Sequence, residues 1–498
     1  MCGIAGVYGR SESVLVSSML DALQHRGPDA RGITDEASRD VTLGHTRLSI
    51  IDLEGGDQPL HGPDGTKLVA NGEIYNARQL RERLGADRFS TGSDNEAILH
   101  LIDAAGVAAT ADLRGMYAFA LFREGELVLG RDPVGIKPLY LGRSEDDLVL
   151  ASELKALPPG VSNTEPLAPG TVWSSLSGTH RFWSVPEPPI FYGSFKPLGD
   201  HVATIRAELS RAVQRRMISD VPVGAFLSGG LDSSAIAALM RPHVAELHTF
   251  SVGLPGSTDL EAARMVSEHL DTIHHEYLLD PAEIRACLPE IVHSLESFDL
   301  DLVRSAVPTF FTARLASQHV KVVLTGEGAD ELFAGYTYHK ALTDERELDA
   351  DLRRSVAELH HVNLQRVDRL TMAHSLEARV PFLDIDLIEA ALAVPVALRR
   401  PGVLAAEKGL LRAAVADLLP DDVLWRDKSQ FDQGTGIADL LPAMATETAA
   451  HIDVQHYRDR YPNTRFRSPE ECRYHEMLVE SLADPEPILE NVARWSER

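Results

Sequence analysis

Residues 223–240 read VGAFLSGGLDSSAIAALM, which divides into a short apolar strand, a two-glycine turn and a helix opened by Asp232, Ser233 and Ser234. Glycine lets backbone N–H groups approach a ligand closely, and the first turn of a helix carries unpaired donors and partial positive charge. A strand, such a turn and a helix N-terminus together suit an anion such as phosphate. Three further apolar strands follow, LHTFSVGL (247–254), HHEYLL (274–279) and KVVLTGEG (321–328), with helical stretches between them. Strands alternating with helices predict βαβ units and an α/β domain built on a parallel sheet with flanking helices. Open sheets of that class bind ligands beyond the carboxyl ends of their strands.

Those strand ends carry the chemistry. Leu227, Ser228, Gly229, Gly230, Ser233 and Ser234 form the candidate phosphate cradle, with Val252 at the end of the next strand. Asp232 would repel a phosphate unless a cation stood between them, so a magnesium site follows. The loop LTGEGADELFAGY supplies Thr325 and Gly326 for the nucleotide, Asp330 as a second metal carboxylate, and Glu327 as a proton-handling group on the acceptor side. In LWRDKSQF, Lys428 is placed to neutralise a departing pyrophosphate. A capped helix after a glycine turn accounts for any one of these residues but not for the set. The loop lacks the GxxxxGK[ST] spacing used for γ-phosphoryl transfer. It resembles the pyrophosphate loop of the ATP pyrophosphatases, which implies adenylation of a substrate with release of pyrophosphate.

Outward from this half the composition changes. Residues 1–185 contain short strands bounded by Gly or Asp, among them VTLGHTRLSIID, KLVANGEIYN, MYAFALFRE and ELVLGRD, with helical spacing only around SSMLDALQ and DNEAILHLIDAAG. That predicts an α+β domain of mostly antiparallel strands. WSVPEPPIFYGSFKPLGD has four prolines and little periodicity, so residues 186–200 are read as a linker and 201–498 as the second domain. The formal charge of −26 repels phosphate backbones and anionic lipid, which argues against nucleic acid and membrane as partners. Three cysteines are too few for a disulfide framework and fit a reducing cytoplasm. No apolar run approaches the ~20 residues of a spanning helix, and no secretory signal pattern is expected.

Ten segments occur in order: MCGIAG, HRGPDARG, GHTRLSIID, NGEIYN, TGSDNEA, GRDPVGIKPLY, SGGLDSS, TGEGADE, EARVPFLD and KSQF. Together they resemble the glutamine-dependent asparagine synthetases, from residue 2 to about residue 435. The resemblance implies an N-terminal-nucleophile glutaminase domain (class II glutamine amidotransferase) with an αββα sandwich, followed by the ATP-pyrophosphatase domain. By the same resemblance, removal of Met1 makes Cys2 the nucleophile, with its own α-amine as general base. Asn71 and the backbone N–H of Gly72 would form the oxyanion hole, Arg47 would hold the glutamine α-carboxylate, and Glu73 and Asp94 its α-ammonium. The implied reaction consumes aspartate, glutamine and MgATP. It proceeds through an acyl-adenylate, with ammonia crossing between the domains through an apolar tunnel that keeps it unprotonated. Dimers are common in that family, and nothing in the spacing demands one.

One region departs from the family pattern. In ESFDLDLVRSAVP, Arg304 and Ser305 match the family's acceptor stretch T-T-x-R-A-S, but Asp301 and Leu302 replace its two threonines. Ser429, Asp432 and Gln433 depart too, beside Lys428. A site built on hydrogen bonds discriminates strongly against ligands that leave its polar groups unpaired. Amidation of a different small carboxylic acid is therefore the alternative to aspartate.

Overall fold

A computed structural model describes residues 2–36, 41–188, 196–404, 406–449, 452–462 and 464–494. Met1 and the linker residues 189–195 lie outside them.

The first half is built on two six-stranded antiparallel sheets. One runs in the order Ser162–Pro166, Tyr140–Ser144, Asp147–Ala151, Gly3–Tyr8, Val41–Arg47 and Ala30–Glu36. The other runs Gly178–Arg181, Thr171–Ser174, Glu126–Arg131, Gly115–Arg123, Lys67–Ile74 and Leu60–His61. Strand alternation explains the layering, because successive side chains point to opposite faces. Ala118, Ala120 and Phe122 meet Ile4, Leu43 and Leu150 between the sheets. Tyr117, Phe119 and Leu121 point the other way, onto Ile98, Leu99 and Ile102 of the helix Glu96–Ala105. Ala5 and Val7 likewise pack on Val16, Met19 and Leu20 of the helix Ser13–Ala22. The result is helix, sheet, sheet, helix, with the αββα order the sequence implied.

The second half opens with the helix Leu198–Arg215, which begins within the stretch read as linker. Arg215 and Arg216 at its end pair with Asp384, and Arg206 donates to Ala414 O. Its sheet is parallel throughout, in the order Ile273–Leu278, His248–Gly253, Val223–Phe226, Val322–Leu324 and Glu377–Arg379. The crossover helices are capped where the sequence places short oxygen side chains. Ser257 accepts from Leu260 N–H, and Asp299 accepts from Leu302 N–H.

The fifth strand lies outside the four apolar strands read from the sequence. Glu377–Arg379 is charged at both ends and shows no apolar strand pattern, yet all three residues are buried. The charges are satisfied internally, because Arg379 Nε donates to Glu377 Oε1 at 2.6 Å and its Nη1 donates to Arg216 O and Ile218 O.

Candidate active sites

The first site forms where the strand Gly3–Tyr8 begins beside the strand Lys67–Ile74. Cys2 is buried, and its N–H donates to Asn71 Oδ1 at 3.1 Å. Asn71 Nδ2 is buried and has no hydrogen-bond partner among the described residues. It is an unspent donor on a side chain bonded to the Cys2 backbone, as an oxyanion site requires. Gly72 has φ +146°, and a Cβ there would stand 1.9 Å from Met116 O, so no other residue fits. Its carbonyl is held by Asn95 Nδ2 at 3.0 Å.

Charged groups surround this thiol. Burial pushes the Cys2 pKa up. Burial also raises Asp94 to about 6, against the opposing hydrogen bond from Ile74 N–H and with help from the negative charge of Glu377. Glu73 is pushed well above the usual carboxylate range by burial and by Glu377 and Asp94, with Arg379 opposing. Arg47 holds the loop that faces it, donating to Asp52 O at 2.6 Å and to Asp57 Oδ1 at 2.8 Å. The sequence-predicted set of Cys2, Arg47, Asn71, Gly72, Glu73 and Asp94 thus gathers at the ends of neighbouring strands and the loops beyond them.

The second site is a cavity of about 280 Å³ at the carboxyl end of the parallel sheet. Leu227, Ser228, Gly230, Asp232, Ser233, Val252, Thr325, Gly326, Glu327, Asp330 and Lys428 line it, as read from sequence. Gly229 and Ser234 do not. Gly229 (φ +69°) faces the backbone of Ala262, and Ser234 is fully buried under the loop. Their part in the cradle is structural: the tight turn needs the first, and the packed helix start needs the second.

Two lysines join the carboxylates. Lys428 Nζ lies 2.7 and 2.9 Å from the Asp330 oxygens. Lys408, which sequence reasoning missed, reaches Asp232 Oδ2 at 2.5 Å and Asp330 Oδ1 at 2.6 Å and is only 2% exposed. Its signal was faint: a lysine before a glycine in EKGLL, a helix-start turn in which Lys408 takes φ +56°. Gly335 makes room for it, because a Cβ there would stand 1.9 Å from Asp330 Oδ1 and 2.0 Å from Lys408 Cε. Against the cost of burial, Lys408 and Lys428 hold Asp330 well below the usual carboxylate range. Asp232 Oδ1 is buried without a hydrogen-bond partner among the described residues. An orphaned carboxylate oxygen beside a second carboxylate is a donor set that fits a hard divalent cation.

The acceptor side differs most from expectation. Ser305 lines the cavity together with Asp301 and Leu302, but Arg304 does not. Its guanidinium makes a two-point pair with Glu470 at 3.0 and 2.6 Å, drawn out by the helix Pro469–Glu480. Arg366, Arg412 and Arg426 line the cavity instead, and Arg366 Nη2 lies 2.5 Å from Glu327 Oε1. Nothing in its local sequence marks it, since an arginine in a helical stretch reads as surface.

Arg366 also connects the two sites. It belongs to the helix Asn363–Met372, and two residues on, about 200° around the helix axis, Asp368 accepts from Arg26 Nη1 at 2.8 Å. Arg26 Nε in turn donates to Cys2 O at 3.0 Å. One helix therefore touches Glu327 on one side and the backbone of Cys2 on the other.

Comparison with known proteins agrees with both halves. A family model described as asparagine synthase matches residues 204–351 and 341–484, and one described as a glutamine amidotransferase domain matches residues 1–188. An asparagine synthetase [glutamine-hydrolyzing] of Asparagus officinalis is 37% identical over 96% of this chain and 85% of its own length. Asparagine synthetase [glutamine-hydrolyzing] 1 of Arabidopsis thaliana is 36% identical over 96% of this chain and 86% of its own. For asparagine synthetase B [glutamine-hydrolyzing] of Escherichia coli (strain K12) the values are 36%, 97% and 92%.

Proposed function

Because the chain belongs to the family of glutamine-hydrolysing asparagine synthetases, we propose that it transfers the amide nitrogen of glutamine to the side-chain carboxylate of aspartate through an acyl-adenylate. The observation that carries this reading is the joining of Asp232 and Asp330, from the first turns of two separate helices, by Lys408 at the wall of a cavity at the sheet's carboxyl end.

With Met1 removed, the Cys2 α-amine takes the thiol proton and the sulfur attacks the glutamine side-chain carbonyl. Asn71 Nδ2 and the Gly72 N–H receive the developing oxyanion, and loss of one such donor typically costs ~3–4 kcal/mol of transition-state stabilisation. Arg47 would bind the glutamine α-carboxylate, and Glu73 with Asp94 its ammonium. Collapse of the adduct breaks the C–N bond and expels ammonia, which takes the proton held by the α-amine; water then hydrolyses the thioester to glutamate, and the ammonia crosses to the second half.

There the aspartate carboxylate attacks the α-phosphorus of ATP, and the bond to the β-phosphate bridge breaks to release pyrophosphate. Ser228, Gly230 and Ser233 cradle the phosphates, and Lys428 and Lys408 offset charge on the leaving group. Asp232 and Asp330 would hold Mg2+, which supplies phosphate charge neutralisation when bound. Ammonia attacks the acyl carbon, AMP departs, and Glu327, steered by Arg366, takes the surplus proton.

A second reading concerns the acceptor alone. Asp301 and Leu302 at the cavity wall, with Arg304 engaged by Glu470, favour a small carboxylic acid other than aspartate. The experiment is pyrophosphate release measured over a panel of small carboxylic acids with ammonium and MgATP. Aspartate far above the rest is the expected result, and an inert aspartate with turnover of another acid would replace the first reading with the second.

A further inference from the structure

Three histidines meet on the sheet of the second half, outside the cavity lining but next to it, since Phe250 lies between them and the cavity. His248 opens the strand His248–Gly253, and His275 lies in the adjacent strand Ile273–Leu278, where it pairs with Phe250. His248, Phe250 and His275 therefore share one face. His319 follows the helix Leu300–Ala316 and comes down on the same face. The candidate ATP cradle lies beyond the opposite, carboxyl ends of these strands, at Leu227 and Val252.

The three rings are close and mutually accessible. His248 Nδ1 and His275 Nε2 stand 3.0 Å apart, the His275 and His319 ring centroids 3.8 Å apart, and one nitrogen from each ring falls within 4.8 Å of the others. His248 and His275 are half-buried and His319 is exposed, which leaves one side open to solvent. Two nitrogens bound to one tetrahedral ion at ~2.0–2.1 Å are about 3.3 Å apart. The pair at 3.0 Å thus needs to open by a few tenths of an ångström. The rings are stacked, so they must turn about the outer torsion of histidine, which is broad, to aim their lone pairs at a common point.

The composition of the cluster selects its ligand. Glu276 lies on the other face of its strand, where it contacts His274 and Arg264. Three imidazoles without a carboxylate suit zinc, copper or nickel, whereas magnesium and calcium require oxygen donors. Three protein nitrogens with an open fourth position is also a common zinc arrangement. We propose that His248, His275 and His319 form a binding site for a divalent first-row transition metal, with Zn2+ as its probe. Such an ion would tie the turn after the helix Leu300–Ala316 to the sheet. The same helix presents Asp301 and Ser305 to the acceptor cavity from its first two turns.

The test is a Zn2+ titration of the full chain against a chromophoric chelator, with excess Mg2+ present. An Asp232→Asn, Asp330→Asn background removes the competing carboxylates. One zinc per chain is expected, with an X-ray absorption spectrum showing three nitrogen neighbours at ~2.0–2.1 Å. His319→Ala alters an exposed side chain and should weaken binding by more than the ~10–100-fold typical of an outer-shell loss. His274→Gln, on the opposite face, should leave it unchanged. Affinity indifferent to His319→Ala, a spectrum dominated by sulfur or oxygen, or no zinc bound in competition with the chelator would each overturn the site.

Discussion

Asp94 carries a proton up to about pH 6, because its carboxyl is buried beside Glu377 and the Ile74 N–H only partly compensates. If it holds the ammonium of glutamine, binding below that pH must first expel the proton. The affinity of a Cys2→Ala variant for glutamine should then fall by up to about tenfold per pH unit below 6. Calorimetry between pH 7.5 and 5 measures this, and a flat profile would remove Asp94 from the site. Stability responds to the same group. The unfolded chain releases this proton at lower pH than the folded one, so stability is lost as pH rises from about 4 to 6, and Asp94→Asn should flatten that slope. Lys408 makes a separate case. Lys408→Met should suppress pyrophosphate release while glutamine hydrolysis by the other half continues, because Asp232 and Asp330 lose their shared cation. Release at the wild-type rate would make Lys408 dispensable. Asp232, Asp330 and Lys428 were legible from sequence because phosphate chemistry demands those charges beside a glycine turn. Lys408 and Arg366 were not, since their roles depend on folding distances of 176 and 39 residues back to their partners.

Single elements bridge the halves. The helix Asn363–Met372 places Arg366 against Glu327 and Asp368 against Arg26, itself bonded to Cys2 O. Asp368 and Arg26 are buried, and Glu153 is the other close acid at Arg26. Removing one partner of a buried pair typically costs ~3–5 kcal/mol, because the other charge stays behind. Asp368→Ala should therefore lower the denaturation midpoint, and Asp368→Asn, which keeps a hydrogen-bond acceptor, should lower it less. Equal losses would show that charge is not what matters there. The element pattern also explains what sequence reading found and missed. Strands such as Gly115–Arg123 are apolar on both faces and easily recognised, whereas Glu377–Arg379 hides its strand character behind an internal ion pair. The acceptor stretch was marked as unusual from its sequence, and Asp301 and Leu302 do line the cavity. Arg304 nevertheless turned away from it toward Glu470, in a C-terminal stretch where the sequence motifs were expected to end near residue 435 but which the family model matches as far as residue 484.

At the scale of the molecule, two halves of different architecture carry sites that the proposed reaction requires to cooperate. The division was readable because strand rhythm, proline content and motif chemistry all change near residue 190. The interface was not, because its charges, among them Arg26, Lys137, Asp368 and Arg379, are scattered through both halves and become partners only on folding. Glu73 of the first half lies 3.5 Å from Arg379 of the second, so the candidate site around Cys2 is bordered by a side chain of the second half. The central claim is that nitrogen released at Cys2 is consumed at the Glu327 cavity. Its most direct test is one Cys2→Ala preparation assayed for amide product with glutamine and, separately, with ammonium. The account predicts that the glutamine-dependent reaction vanishes while the ammonium-dependent one persists near the wild-type rate. Loss of both together in a folded variant, or retention of the glutamine-dependent reaction, would contradict it.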